Sequence, residues 1–420
     1  MRFKTCLSTG LLLCAMATAT AASVASTPEC EPNIISVHCG KTPSSVWHQQ
    51  ALWVVFVQNE HIYLVRSTDN GQSYSKPVVV NAKPETIEAN GENRPKIAIT
   101  DQAVLVSWTQ KTNGPFTGDI RLARSEDKGK SFQPPKTIND DGNIISHRFD
   151  NLLAYPDGTV YVTWLDKRNK WRAEAKGKNY PGSGLFVASS TDHGKTFSKN
   201  FAVADNSCEC CRIAVAPAAA KDLAIFWRHI YPSSKQGGSS RDHGFALVSA
   251  EGDIIGLTRA TVDEWQINAC PHHGPAMAAA ANGTFHLAWF TNGEQRQGIF
   301  YGRFNPEKKI AEYITLMDAS AGAGHPQVAE LNGTVYFAWK LFDGKRTQIG
   351  LRTSNNSGKT WTAPRVLAVT EGPSDQPLLV KAGDAMILAW HTQNEGFRLI
   401  QIDAKASTVK ASNSEAGRKE

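Results

Sequence analysis

Short apolar stretches, each ending in an aromatic residue, recur along the chain at intervals of 50 to 63 residues. They are rich in β-branched and aromatic side chains, which is typical of buried strands. In four units a proline precedes the closing aromatic by thirteen residues, at Pro43, Pro95, Pro326 and Pro377. The pattern therefore predicts one structural unit repeated along the chain. The seven closing aromatics are Phe56, Trp108, Trp164, Trp227, Trp289, Trp339 and Trp390.

Each unit holds more than one strand. A further strand is predicted before each closing aromatic, and Asp-Gly or Asn-Gly dipeptides join the two in several units, at Asp157-Gly158, Asn282-Gly283 and Asn332-Gly333. These dipeptides favour two-residue hairpin turns. A third and a fourth strand are predicted after the aromatic. The unit is therefore a four-stranded antiparallel sheet.

The turn after the third strand carries a shared eight-residue box. In it, an Asp or Asn and flanking hydroxyls can bond the turn backbone, while Gly takes the left-handed position. The four copies are Ser67–Tyr74 (STDNGQSY), Ser125–Phe132 (SEDKGKSF), Ser190–Phe197 (STDHGKTF) and Ser354–Trp361 (SNNSGKTW). In these boxes the chain resembles the Asp-box, or BNR-repeat, proteins of the sialidase superfamily. The resemblance implies an all-β fold, a β-propeller of four-stranded blades.

Seven units can be counted, so seven blades are expected; six is the alternative, because sialidases of this superfamily have six. The last unit, Gln376 to Asp403, has no evident fourth strand. We expect residues Asn33 to Cys39 to supply that strand and close the ring. The propeller is then a single domain spanning residues 26–403.

The two ends of the chain differ from the repeats. Basic Arg2 and Lys4, an apolar stretch from Leu7 to Met16 and a run of small residues predict a signal peptide over residues 1–25. The apolar stretch is too short to span a bilayer, and no other run predicts a membrane helix. We expect a periplasmic or secreted protein. Residues 404–420 are rich in Lys, Ser and Ala and predict a disordered tail.

The charge of the chain is mild. The net charge of +6 gives no reason to expect a nucleic-acid partner. No motif for an organic cofactor is present, and the sequence carries no prediction of a protein partner. Its chemistry lies instead in loops that the repeat places on one face of the propeller, before the first strand and after the second strand of each blade.

Cysteine and histidine concentrate in these loops. Thiolate and imidazole together suit copper or zinc. The candidate metal ligands are Cys208, Cys210, Cys211, Cys270, His272, His273 and His325. The alternative for an exported protein is two disulfides among the four cysteines, plus a third between Cys30 and Cys39. One disulfide combined with a Cys/His site is also open.

Arginines lie in the same loops, at Arg94, Arg148, Arg168, Arg212 and Arg228. They could hold a carboxylate, sulfate or phosphate, or form salt bridges to Asp150, Asp166 and Glu92. The resemblance to sialidases implies arginines for a substrate carboxylate and an Asp acid/base. Candidate catalytic residues for such a glycosidase are Arg94, Asp150, Asp166 and Arg212.

Three functions follow from these residues. Binding of a transition metal, copper or zinc, is placed first, since the fold does not require the Cys/His cluster. An exo-sialidase-like glycoside hydrolase acting on anionic glycans is the alternative. A non-enzymatic periplasmic module for binding or assembly is the third. The expected ligand is accordingly a metal ion, a small anion or a glycan.

Overall fold

The computed structural model describes residues 30–233 and 238–403. Seven antiparallel sheets are arranged in a ring, and their first strands lie innermost. The predicted β-propeller is therefore confirmed, with seven blades rather than six. The predicted signal peptide (1–25) and tail (404–420) lie outside the described residues.

Blades 1 to 3 each contain four strands in chain order, from the inner strand outwards. Helix α1, Arg168–Glu174, lies between the second and third strands of blade 3. The strands are β1 Lys41–His48, β2 Ala51–Gln58, β3 His61–Ser67, β4 Val78–Val79, β5 Lys96–Ile99, β6 Val104–Lys111, β7 Gly118–Ser125, β8 Lys136–Thr137, β9 His147–Ala154, β10 Val160–Asp166, β11 Ser183–Ser190 and β12 Phe201–Ser207.

Blades 4 to 6 also have four strands, with a small β15–β16 hairpin inserted in blade 4; blade 7 has three. Short 3-10 turns occur at Ala219–Lys221 and Ala281–Gly283. The strands are β13 Ala214–Pro217, β14 Leu223–Arg228, β15 Tyr231–Pro232, β16 Ser239–Ser240, β17 His243–Val248, β18 Ile254–Arg259, β19 Ala276–Ala279, β20 Phe285–Asn292, β21 Gln297–Asn305, β22 Ile310–Asp318, β23 Ala323–Leu331, β24 Thr334–Phe342, β25 Thr347–Ser354, β26 Arg365–Thr370, β27 Leu378–Ala382, β28 Ala385–Thr392 and β29 Gly396–Ile402.

The repeated aromatic residues form the core between neighbouring blades. Trp108 packs with residues of blades 1 and 2, and Trp289 with residues of blades 4 and 5. Both are fully buried. Burying a large side chain stabilises a fold by about 1.5–3 kcal/mol. The aromatic residues that recur in the sequence therefore mark the successive interfaces between neighbouring blades.

The box turns share one hydrogen-bond pattern. In blade 2, Ser125 donates to Asp127, and the Asp127 carboxylate accepts from the backbone N–H of Ser131 at 2.9 Å. The N–H of Gly129 donates back to Ser125 Oγ at 2.9 Å. Side chains of the turn thus accept hydrogen bonds from the backbone N–H groups of the same turn. All four turns lie on the face opposite the loops that precede the inner strands.

The predicted closing strand is wrong. Residues Asn33 to Cys39 form turns, and blade 7 keeps three strands. The Cys30–Cys39 disulfide and the bond from Cys39 N–H to Ser36 O fold this segment on itself, so its backbone is not extended for pairing. Val37 still packs against blades 1 and 7. The ring closes instead through contact between β1 and β27.

Among the described residues, no helix has the length and apolar character that crossing a membrane requires.

Candidate functional site

Three thiols are buried together in the loop that enters blade 4. Cys208 Sγ is 3.8 Å from Cys210 Sγ and 3.9 Å from Cys211 Sγ, and all three sulfurs lie within 4.8 Å of one another. The loop follows β12 and is tied to the second strand of its own blade, since the Cys208 N–H donates to Arg228 O. We call Cys208, Cys210 and Cys211 the inner group.

A second set of ligand atoms shares one cysteine with the first. Cys210, Cys270 and His272 also place their ligand atoms within 4.8 Å of one another. Cys270 and His272 are exposed, whereas Cys210 is buried. We call these three residues the outer group. The loops entering blades 4 and 5 therefore meet as the repeat predicted, and the four cysteines are free thiols in the structure.

Two arginines surround the inner group. Arg241 Nη1 donates to Cys208 Sγ at 3.0 Å, and its Nε donates to Ile267 O at 3.0 Å. Hydrogen bonds from Cys210 and Cys211, together with Arg241 and Arg228, hold the pKa of the Cys208 thiol below its usual range. Cys208 is thus the thiol that ionises first. The same hydrogen bonds, and burial, raise the pKa values of the other two thiols.

The outer end of the thiol loop is held by lysines. Glu209, between Cys208 and Cys210 in the sequence, lies 3.1 Å from Lys167 Nζ and 3.7 Å from Lys170 Nζ. Lys170 belongs to α1, and Lys167 directly precedes that helix. Helix α1 therefore fixes the loop from the solvent side.

The inner end of the loop is held by a buried carboxylate at the centre of the ring. Glu92 Oε2 accepts from the backbone N–H of Arg212 at 2.9 Å and of Gly274 at 3.0 Å. Its Oε1 lies 3.1 Å from Arg212 Nη1 and accepts from Gln376 Nε2 at 2.7 Å. Burial opposes ionisation, but Arg212 and His325 hold the pKa of Glu92 well below its usual range. The Glu92 carboxylate therefore connects its own blade, blade 2, with blades 4, 5, 6 and 7.

Two of the predicted metal ligands lie apart from the thiols. The rings of His273 and His325 stack with centroids 5.0 Å apart, and His273 also stacks on Phe290. His325 Nδ1 is 3.2 Å from Glu92 Oε1. Burial, with the nearby His325, lowers the pKa of His273 to about 3, so its ring is neutral at neutral pH. The predicted Cys/His set therefore divides into the four cysteines with His272 and the separate pair of His273 and His325.

The five arginines of these loops all bind groups of the protein itself. Arg212 pairs with Glu92, and Arg228 donates to the carbonyls of His273 and Phe290. The other three arginines each form an ion pair with a carboxylate: Arg94 with Asp375, Arg148 with Glu88, and Arg168 with Asp166. The anion-binding cluster considered from the sequence is thus occupied by internal partners.

The two candidate acids are also enclosed. Asp150 accepts from Ser107 Oγ at 2.6 Å and from Thr109 Oγ1 at 3.1 Å, and burial raises its pKa. Asp166 accepts from Trp164 Nε1 at 2.8 Å and pairs with Arg168. Their exposed fractions are 2% and 0%, so both residues are buried, and their carboxylates accept hydrogen bonds from within the protein.

Arg94 and Arg212 line a cavity in the central channel. Its volume is about 260 Å³, and Lys96 also lines it. Burial lowers the pKa of Lys96 to about 8. The Lys96 ammonium donates to Arg94 O at 2.6 Å. Apolar residues such as Met277 and Leu378 line much of the rest of the cavity, and its charged groups are already engaged within the protein.

Arg241 is the site residue that the sequence reasoning missed. It lies between β14 and β17, where the chain runs from the second to the third strand of blade 4. From the sequence, only Arg228, where that loop begins, is a candidate residue. Arg241, near the end of the loop, contacts Cys208, so residues just before a third strand can also face the thiols.

Comparison with known proteins identifies the fold. No protein family matches the sequence, and no curated protein matches it. Among solved structures, the PL25 polysaccharide lyase (ulvan lyase) bound to -[GlcA(1-4)Rha3S]- aligns with a TM-score of 0.54 and 11% identity, over 85% of this chain and 91% of that chain. The polysaccharide lyase Uly1 aligns with a TM-score of 0.52 and 10% identity, over 92% of this chain and 94% of that chain.

A Hadza microbial sialidase, Hz136, aligns at a TM-score of 0.46 and 15% identity, over 82% of this chain and 73% of that chain. At such identities the two lyases bear on architecture and not on reaction. The chain therefore shares its β-propeller fold with polysaccharide lyases.

Proposed function

We propose that this chain is an exported metal-binding propeller that holds one copper(I) ion on the inner group. The observation that carries the proposal is the approach of three buried sulfurs, two of them at 3.8 and 3.9 Å from Cys208 Sγ. Free thiols buried side by side form no disulfide here, and soft thiolate ligands select copper(I) or zinc.

The number of ligands favours copper(I) over zinc. A structural zinc site takes four ligands in a tetrahedron. Cys270 lies near Cys210 but is not grouped with Cys208 and Cys211, so the four sulfurs do not surround one point. Three thiolates without a fourth ligand suit a three-coordinate soft ion.

Charge favours the same ion. Three thiolates carry three negative charges, and Arg228 and Arg241 lie close enough to act on the Cys208 thiol. A monovalent ion and two guanidinium groups balance these thiolates, whereas a divalent ion leaves one uncompensated positive charge. Uncompensated charge is costly away from water.

The test is a copper(I) titration of the reduced, metal-free mature chain against a chromophoric copper(I) chelator. We expect one tightly bound ion per chain, and at least a hundredfold weaker binding in Cys208→Ser and Cys211→Ser. Ser207→Ala is the matched control, because the Ser207 hydroxyl is buried beside Cys208 and has no hydrogen-bond partner among the described residues. Stoichiometric zinc binding without copper(I) binding would contradict the choice of ion.

A second candidate function is binding of an anionic glycan, favoured by an aromatic groove near the same loop. The groove has a volume of about 240 Å³. Phe116 and Trp171 line it with exposed fractions of 76% and 51%, and Lys167 and Lys170 lie between them and the thiol loop. Exposed rings offer faces for sugars. A sugar carboxylate would compete with Glu209 for Lys167 and Lys170, which contact that glutamate in the structure.

The fold neighbour bound to a glucuronate-containing saccharide supports this candidate. Calorimetric titration with a glucuronate-containing oligosaccharide tests it, beside a neutral oligosaccharide of the same length. We expect Trp171→Ala to weaken binding at least tenfold, and Phe342→Ala, which removes a similarly exposed ring on blade 6, to leave it unchanged. Equal binding of both saccharides would contradict a site for anionic sugars.

A further inference from the structure

We propose that the metal ion first binds the outer group and then passes to the inner group by ligand exchange at Cys210. This inference rests on the proposed metal-binding function. The observation behind it is that one cysteine belongs to both sets of ligand atoms, while the remaining members of the two sets differ in exposure.

Burial determines which group an ion meets first. Cys208 and Cys211 have exposed fractions of 1% and 3%, so a hydrated ion or a metal-carrying molecule cannot reach them directly. Cys270 and His272 are exposed. Cys210 lies between the two groups, at 4% exposure, and is the ligand common to both.

The loop that carries Cys270 and His272 is fixed at its base. The Gly274 N–H donates to Glu92, and the His273 carbonyl accepts from Arg228 Nη2 at 3.0 Å. The exposed tip with Cys270 and His272 therefore projects from an anchored stem. This anchoring holds the outer ligands near Cys210 before any ion arrives, which lowers the entropy lost on binding.

The exchange balances without a redox partner. The bonds from the metal to Cys270 sulfur and His272 nitrogen break, bonds to the Cys208 and Cys211 sulfurs form, and the bond to Cys210 remains. The thiols of Cys208 and Cys211 each lose a proton; one proton is taken up by the released Cys270 thiolate, the other leaves to solvent, and the ion keeps its oxidation state. The transfer runs inwards because a soft ion prefers three thiolates to a mixture that contains imidazole.

The experiment is a stopped-flow measurement of copper(I) transfer from its bicinchoninate complex to the reduced mature chain. The outer variant is Cys270→Ser with His272→Ala, and both side chains are exposed, so the fold should be retained. The matched control is His61→Ala on blade 1, a half-buried histidine far from the thiols along the chain.

We expect the outer variant to bind one ion with an affinity within about threefold of the unmodified chain, but to take it up at least tenfold more slowly. An unchanged rate with full stoichiometry would overturn the handover and leave the metal-binding proposal standing. Loss of the ion from the outer variant would also overturn it, because Cys270 and His272 would then be permanent ligands. An unmodified chain that takes up no copper would overturn both proposals.

Discussion

The guanidinium of Arg241 donates a hydrogen bond to the sulfur of Cys208 across 3.0 Å. A hydrogen bond to a charged group contributes about 1.5–3 kcal/mol. If Cys208 binds the ion as a thiolate, Arg241→Gln should weaken copper(I) affinity about tenfold. Competition against a chromophoric chelator measures this. Arg346→Gln, at an exposed arginine on blade 6, is the control, and equal affinities of the two variants would contradict the role of Arg241.

Removing the charge of Glu92 should destabilise the whole ring. Glu92→Gln leaves Arg212 without its counter-charge and takes away acceptors for Gly274 and Gln376. Breaking a buried ion pair typically costs about 3–5 kcal/mol. Denaturant unfolding should show a loss of this size, whereas the exposed Glu307→Gln should change little. A loss below about 1 kcal/mol would show that the network is not structural.

The stability of blades 2 and 3 should fall at alkaline pH through His147. Burial alone would lower its pKa, but the carboxylates of Asp119 and Asp141 raise the pKa to about 9. Because the folded state binds this proton more tightly than the unfolded chain, the extra stability is complete below about pH 6.5 and is lost as pH rises through 9.

The contribution of His147 is on the order of 3 kcal/mol at most. Unfolding free energies measured from pH 6 to pH 10 should decline less steeply for His147→Gln than for the unmodified chain. The variant His61→Gln, outside this network, should keep the full slope. Parallel curves for all three proteins would contradict the assignment.

The box turns should contribute to the stability of the fold and not to metal binding. Asp127→Ala removes the acceptor for Ser125 Oγ and for the N–H groups of Lys130 and Ser131. Each of these three bonds contributes about 0.5–1.5 kcal/mol, so a loss of about 1.5–4.5 kcal/mol is expected. Thermal unfolding measures that loss. Copper(I) affinity, measured on the same variant at 10 °C, should not change, since the turn lies on the opposite face of the propeller.

The architecture was predictable because it depends on local patterns that repeat. Apolar strands ending at residues such as Trp108 and Trp289 mark one blade after another, and Asn332 and Gly333 both adopt the positive φ that their hairpin turn requires. The last blade was not predictable in the same way. Its closing segment is bent by the Cys30–Cys39 disulfide, and no strand periodicity reveals that bend.

The site was predictable only in part. The meeting of Cys210 with Cys270 follows from loops that enter neighbouring blades. The separation of His273 from the thiols does not follow, because the direction of a loop side chain depends on its packing partners, here Phe290 and His325. Nor does sequence show that Arg212 is paired with Glu92, 120 residues away.

The central claim is that three cysteines of the inner group hold one copper(I) ion, and X-ray absorption at the copper edge tests it most directly. The reduced chain loaded with one equivalent of copper(I) should show a monovalent copper ion with sulfur neighbours alone, and Cys210→Ser should abolish that signature. A spectrum with nitrogen or oxygen neighbours in the unmodified chain, or one unaffected by Cys210→Ser, would contradict the account.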